Sequence, residues 1–250
     1  MSNNYVYASY KGSQQGVTVR DLGLDQISFI NTGFDINGVA AGADNDFYVA
    51  SANNIYHYRT DGALISRMTF PDTGIIYTSL TVRGDLLFAT YKGSQVGVTV
   101  RDLNLTQISW FATPFVSSGI AAGPSQDVYL AAGNHIYRYK TNGTQLQDMT
   151  FPVTSINYTD VSVLEDRLYA SYNGSQLGFT VRDLNLNQLS YCNTGFNISS
   201  IAAGASNNVY LTSSNHIYNY STAGNLLADM NFPDKGVDYT SASVVFTSLT

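Results

Sequence analysis

The sequence has one cysteine, few lysines and no long unbroken apolar run, and each lack narrows what the chain can be. Cys192 is the only cysteine among 250 residues, so no intrachain disulfide can form. No apolar run approaches the roughly 18 residues that a membrane-spanning helix needs. The opening Met1-Ser2-Asn3-Asn4 passes straight into a strand pattern without an apolar signal-peptide stretch. The expectation is therefore no membrane insertion and no leader, with the chain cytoplasmic or exported by a leaderless route. Glutamate occurs once, at Glu165, and lysine four times, at Lys11, Lys92, Lys140 and Lys235. Charged residues make up 12% of the chain, with a net charge of −6 and a pI near 4.8. A polyphosphate backbone binds by exchanging counterions for Lys and Arg, so nucleic acid is not an expected partner. Anionic membrane surfaces are disfavoured for the same reason.

What the chain does hold is strand and turn chemistry. Tyrosine reaches 19 and glycine 21, alongside abundant Val and Thr, while the good helix formers Glu and Lys are scarce. One motif recurs three times. Tyr10-Lys11-Gly12-Ser13-Gln14 begins a segment ending at Leu22, and its counterparts run from Tyr91 to Leu103 and from Tyr172 to Leu184, always 81 residues apart. Phe70-Pro71, Phe151-Pro152 and Phe232-Pro233 keep the same step, as do Met68, Met149 and Met230. A fixed period of this kind means stacked or circular supersecondary units. No linker or shift of composition separates the thirds, so the expectation is one domain over 1–250, with repeats at about 1–81, 82–162 and 163–243.

Each repeat divides into two similar halves of four short strands. In one half, Ile36–Gly42, Asp46–Ser51, Ile55–Thr60 and Leu64–Met68 read as strands A to D. Asp61-Gly62 and Asn142-Gly143 supply the positive-φ positions of hairpins. In the other, Tyr77–Val82, Leu86–Thr90, Val98–Arg101 and Gln107–Phe111 follow the same order. Four antiparallel strands in about 40 residues, repeated radially, describe a β-propeller blade. The fold class is thus all-β, a six-bladed propeller with pseudo-threefold symmetry. Tyr5–Tyr10 aligns with strand B, so the first blade lacks its strand A; Val237–Val244 supplies one at the far end of the chain. Pairing the two closes the ring and removes two sheet edges. Small residues at Ala40-Ala41-Gly42, Ala121-Ala122-Gly123 and Ala202-Ala203-Gly204 fit inner strands crowded around an axis.

The hairpins Ile55–Ile65 and Ile136–Leu146 resemble those of NHL-like and quinoprotein-like propellers. That resemblance covers one hairpin per repeat and implies the fold, with no function attached.

Propeller loops between strands B and C share a face with those between D and A, and that face would carry the repeated motif. Its candidate ligand residues are Lys11, Ser13 and Gln14; Lys92, Ser94 and Gln95; and Asn173, Ser175 and Gln176. Tyr77, Tyr158 and Tyr239 would open strand A near the channel mouth. Two readings of Gly-Ser-Gln compete. Gly can permit a turn while Ser and Gln bond local backbone; alternatively, amides and hydroxyls beside aromatic rings form three shallow polar sites suited to sugars, strengthened by avidity. Phe29, Trp110 and Tyr191, equivalent positions on outer strand D, could stack on a sugar or a partner, or could pack between blades. Arg20-Asp21, Arg101-Asp102 and Arg182-Asp183 read as braces of the C–D turn.

Catalytic signatures do not fill the pattern. His57, His135 and His216 are the only histidines, without His-Glu-x-x-His spacing or cysteine companions. The Ser-x-Asp-x-Gly-x-Thr-Trp box of sialidase propellers is absent, and Glu165 falls in an A–B turn on the opposite face. Neither a metal nor a cofactor is expected, and a hydrolase or lyase is the remote reading. The two leading ones are a multivalent, lectin-like glycan-binding module and a protein-interaction or structural propeller, such as a subunit or receptor-binding component of a larger assembly.

Overall fold

A computed structural model describes residues 4–153 and 155–245. Among these residues, twenty-four strands form six sheets of four. The first blade holds β1 (Tyr5–Gly12), β2 (Gly16–Arg20) and β3 (Gln26–Asn31), and its innermost strand is β24 (Val237–Val245). The second holds β4 (Gly38–Ala41), β5 (Asp46–Ser51), β6 (Asn54–Arg59) and β7 (Leu64–Thr69). The third holds β8 (Ile75–Arg83), β9 (Leu86–Gly93), β10 (Gly97–Asp102) and β11 (Gln107–Ala112). The fourth holds β12 (Gly119–Ala122), β13 (Asp127–Ala132), β14 (His135–Lys140) and β15 (Gln145–Thr150). The fifth holds β16 (Ile156–Leu164), β17 (Arg167–Gly174), β18 (Gly178–Asp183) and β19 (Gln188–Asn193). The sixth holds β20 (Ser200–Gly204), β21 (Asn208–Ser213), β22 (His216–Ser221) and β23 (Leu226–Asn231).

Ring closure follows from the pairing of β24 with β1, which aligns Tyr5 with Val245 and Gly12 with Val237. The six inner strands then touch in the cyclic order β24, β4, β8, β12, β16, β20 and back to β24. Side chains stitch neighbouring inner strands where no ladder can. The Ser241 and Ser243 hydroxyls accept the Val39 and Ala41 amides at 3.2 and 2.9 Å, and Ser162 accepts the Ala203 amide at 2.9 Å.

Six apolar clusters fill the six blade interfaces. The alternation of a strand divides the small inner residues between them. Ala40, Ala121 and Ala202 pack with Tyr48, Tyr129 and Tyr210 on one side, while Ala41, Ala122 and Ala203 face the other.

Strand B runs further than composition indicates. A bulge between Tyr77 and Ser79, repeated at the equivalent positions of β16 and β24, keeps strand A paired down to Ile75. Lys11, Lys92 and Asn173 therefore sit at the ends of strands, opposite Asp238, Ile76 and Asn157. A second bulge interrupts every C–D pair at the same place, so all six outer strands share one bend. No helix among the described residues is long and apolar enough to cross a membrane.

Candidate functional site

The repeated loop is built around its glycine. Gly12, Gly93 and Gly174 hold φ of 122°, 127° and 136°, a region that favours glycine. A Cβ at any of them would strike the carbonyl oxygen of Gly236, Gly74 or Ser155. The chain approaches so closely because the next amide bonds that same carbonyl, as Ser13 does to Gly236 at 2.9 Å. The serines are consumed locally. Ser13 donates to Asp234 Oδ2 at 2.5 Å, Ser94 donates to Asp72, and Ser155 donates to Ser175 Oγ at 2.7 Å. The Ser94 hydroxyl first, and then the Gly74 amide, hold the Asp72 carboxyl below its ordinary range; Ser13 and Gly236 act likewise on Asp234. These hydroxyls staple the B–C loop to the D–A loop beside it.

The three strand-A tyrosines are interior residues. Tyr77, Tyr158 and Tyr239 are buried, and burial raises each phenol's pKa. The Tyr158 hydroxyl accepts from Arg182 at 3.2 Å, and the Tyr77 hydroxyl from Arg101 at 3.5 Å. Their rings order the blade core under the loops.

Two concavities are lined by residues of the repeated motif. The channel mouth encloses about 900 Å³ and is lined by Lys11, Lys92, Asn37, Ser118, Asp238 and Thr240, among others. The third repeat offers no amine there, since Asn173 is tied to both backbone groups of Ile198 at 3.0 and 2.8 Å. The second concavity lies at the outer rim, where Gln95 meets Phe70, Tyr91, Thr99, Gln107 and Trp110 around about 70 Å³. Gln95 belongs to the repeated loop and Trp110 to outer strand β11, so the two separate sequence candidates converge here. Phe70 stacks on Tyr91 at 6.2 Å between centroids. Asn53 fixes the Phe-Pro turn by donating to the Phe70 carbonyl at 2.9 Å.

The three copies differ. Phe29 lies flat on Tyr10 at 5.2 Å and against Phe232 at 6.0 Å, packed onto the rings that Trp110's copy leaves uncovered. Trp110 and Tyr191 stand out at 56% and 67% exposure. Thr99 and Gln107 escaped the reading of the sequence, although Thr18, Thr99 and Thr180 and Gln26, Gln107 and Gln188 are identical across repeats. Identity across the repeats was the available signal, but Thr within a strand is ordinary composition.

Arg20, Arg101 and Arg182 brace their C–D turns, each donating to the carbonyl of a leucine four residues on at 2.7–2.8 Å. Leu24, Leu105 and Leu186 adopt φ of 74°, 69° and 65°, where the other hairpins place Gly62, Gly143 and Gly224. Their buried side chains offset that strain. The histidines meet carboxylates singly: His57 bonds Asp46 at 2.5 Å, His135 Asp148 at 2.8 Å and His216 Asp229 at 2.8 Å. Among the described residues no group of three or more His, Cys, Asp or Glu could hold a metal ion.

Comparison with known proteins places the fold. A scan of family models returns no match, and no curated protein matches. Among solved structures, a protein of unknown function from Bacteroides caccae is similar with a TM-score of 0.77 at 10% identity, covering 97% of this chain and 99% of its own. A chain of the nidogen/laminin complex has a TM-score of 0.80 at 14% identity, covering 98% and 99%. BamB from Moraxella catarrhalis has a TM-score of 0.51 at 13% identity, covering 90% and 73%. The chain is a six-bladed β-propeller of three double-blade repeats.

Proposed function

We propose that this propeller is a non-catalytic, lectin-like module that binds glycans at its outer rim. One observation carries the reading: Gln95 of the triplicated loop and the exposed ring of Trp110 line one pocket, backed by Phe70 and Tyr91. A sugar presents a C–H face and a fringe of hydroxyls. An exposed indole matches the first, and neighbouring amides match the second. Recurrence of an exposed aromatic at Tyr191 supports multivalent binding to a glycan surface, where weak sites reinforce one another. Binding to immobilised oligosaccharides tests it. Trp110→Ala should lower retention tenfold or more without lowering the melting temperature. Full retention by that variant, or a blank array with the native chain, would remove the reading.

A protein partner is the second reading, favoured by the outer strands. β3, β11 and β19 carry no charge, yet expose Ile27, Ile108 and Leu189 beside the three aromatics. The neighbour from the nidogen/laminin complex is a protein of this fold solved within a protein assembly. Pull-down of one stoichiometric protein by the native chain, lost on Ile108→Lys, would favour this reading.

A further inference from the structure

The floor of the Trp110 pocket is chemically unlike its walls. Thr99 is 1% exposed, lines the pocket, and its hydroxyl has no hydrogen-bond partner among the described residues. Arg101 lies two residues along the same strand and is 5% exposed. Its terminal nitrogens donate to the Leu105 carbonyl, to Gln107 Oε1 at 3.3 Å and to the Tyr77 hydroxyl, whereas its Nε–H has no partner. Gln107 itself lines the pocket, so the guanidinium stands directly behind that wall.

The third repeat shows how these two groups relate. There Arg182 Nε donates to the Thr180 hydroxyl at 3.3 Å, which satisfies both. In the first and second repeats the same pair is left open, and in the second it lies beneath an exposed indole. No carboxylate among the described residues lies within 4.0 Å of Arg101. A buried cation without an anion is costly, and an anion brought to it recovers part of that cost.

Size narrows the ligand. About 70 Å³ is roughly twice a water molecule's share of liquid volume, ~30 Å³. The pocket therefore has room for a substituent the size of a carboxylate. We infer that it receives the carboxylate of an acidic sugar, with Thr99 donating to a carboxylate oxygen, Arg101 supplying the countercharge, and the sugar ring stacked outside on Trp110. This rests on the glycan reading above and adds the ligand class. An acetamido group would satisfy Thr99 through its carbonyl but would leave the guanidinium uncompensated.

Trp110 is the only tryptophan of the chain, so its fluorescence reports this pocket alone. Native protein is titrated at pH 7 with oligosaccharides ending in glucuronate or galacturonate, with their glucose- and galactose-ended counterparts, with an N-acetylglucosamine-ended one, and with acetate. Acidic termini should shift the emission and bind at least tenfold tighter than neutral ones. Thr99→Val removes an unpartnered hydroxyl at constant shape, so binding should fall tenfold or more while the melting temperature holds. Arg101→Gln should level acidic against neutral termini; should that variant misfold, Thr99→Val with the acid/neutral ratio of the native protein decides alone. Equal response to neutral or N-acetylated termini overturns the carboxylate assignment and leaves the glycan reading intact. Acetate competing as well as a uronate overturns the sugar part of it. No response to any sugar, together with a blank array, ends both.

Discussion

Asp160 stands where the other repeats place Ser79 and Ser241, in the wall of the central channel. It accepts from the Ser200 hydroxyl at 2.5 Å, the Ile201 amide at 3.2 Å and the Val161 amide at 2.9 Å. Burial outweighs those bonds and pushes its carboxyl up to about 7. A carboxyl whose pKa is raised by folding holds its proton more tightly in the native state than in the unfolded one. Its contribution is therefore present at acid pH and is lost as pH climbs from about 4 to about 7. Asp160→Ser restores the hydroxyl of the sister repeats, and Ser241 already shows that a hydroxyl can accept the equivalent amide, Val39. The variant should match the native chain near pH 4 and exceed it by roughly 1–4 kcal/mol at pH 8. Denaturant midpoints across that range measure it; a pH-independent gap would refute the shift. At this scale the sequence was only partly legible. Gly93 and Trp110 announced themselves by type and period. Ser94 did not reveal that its hydroxyl is spent on Asp72, and Thr99 gave no sign of being unpartnered. Leu105 is buried in the core, yet nothing in its type discloses that it also occupies a left-handed turn position. Such facts depend on which loop lands beside which, and spacing along the chain does not carry that.

At the scale of the element, the strand order could be read almost in full, because alternation, turn residues and period agreed on the same segments. What slipped was the end of strand B: Lys11-Gly12 reads as turn chemistry but pairs with Asp238 and Val237, since a bulge in the partner strand lets the ladder run on. β24 is the element on which the first blade depends. It contributes Val237, Tyr239 and Ala242 to the cluster that also buries Val6, Ala8 and Tyr10. Removing residues after Gly236 would strip that cluster and bare the edge of β1, an invitation to pair with another chain. The truncated protein should aggregate or lose its cooperative melt, as light scattering and calorimetry would record. A soluble, cooperatively melting product would show that the first blade stands without its inner strand.

For the whole molecule, threefold symmetry of sequence does not give threefold equivalence of sites. Phe29 packs flat on Tyr10, Trp110 leaves a pocket open, and in the third copy Thr180 is engaged by Arg182. Three identical contributions to avidity are therefore not expected. Trp110→Ala should abolish most retention on an immobilised glycan, Tyr191→Ala less, and Phe29→Ala least, in dissociation measured on one surface. Equal losses from all three would mean that the rim sites work alike despite their different lids. The charge pattern follows the same rule of unequal copies: the channel mouth has Lys11 and Lys92 but a backbone-tethered Asn173 in third place.

The pairing of Tyr5 with Val245 also sets an order of events for the chain as it is made. The first blade cannot be finished until β24 has left the ribosome, whereas the four-stranded sheets of the second to sixth blades are each contiguous in sequence. Those five can assemble in succession from local hairpins, but β1, β2 and β3 must wait, with one face of their apolar residues uncovered. Joining ends so far apart adds only slowly growing loop entropy once the intervening blades are packed, yet before then it is the most non-local contact in the fold and the one that topology makes slowest. The interval between synthesis of the first hairpin and arrival of β24 is thus the period of greatest exposure to misassembly, and β24 acts as the latch that ends it.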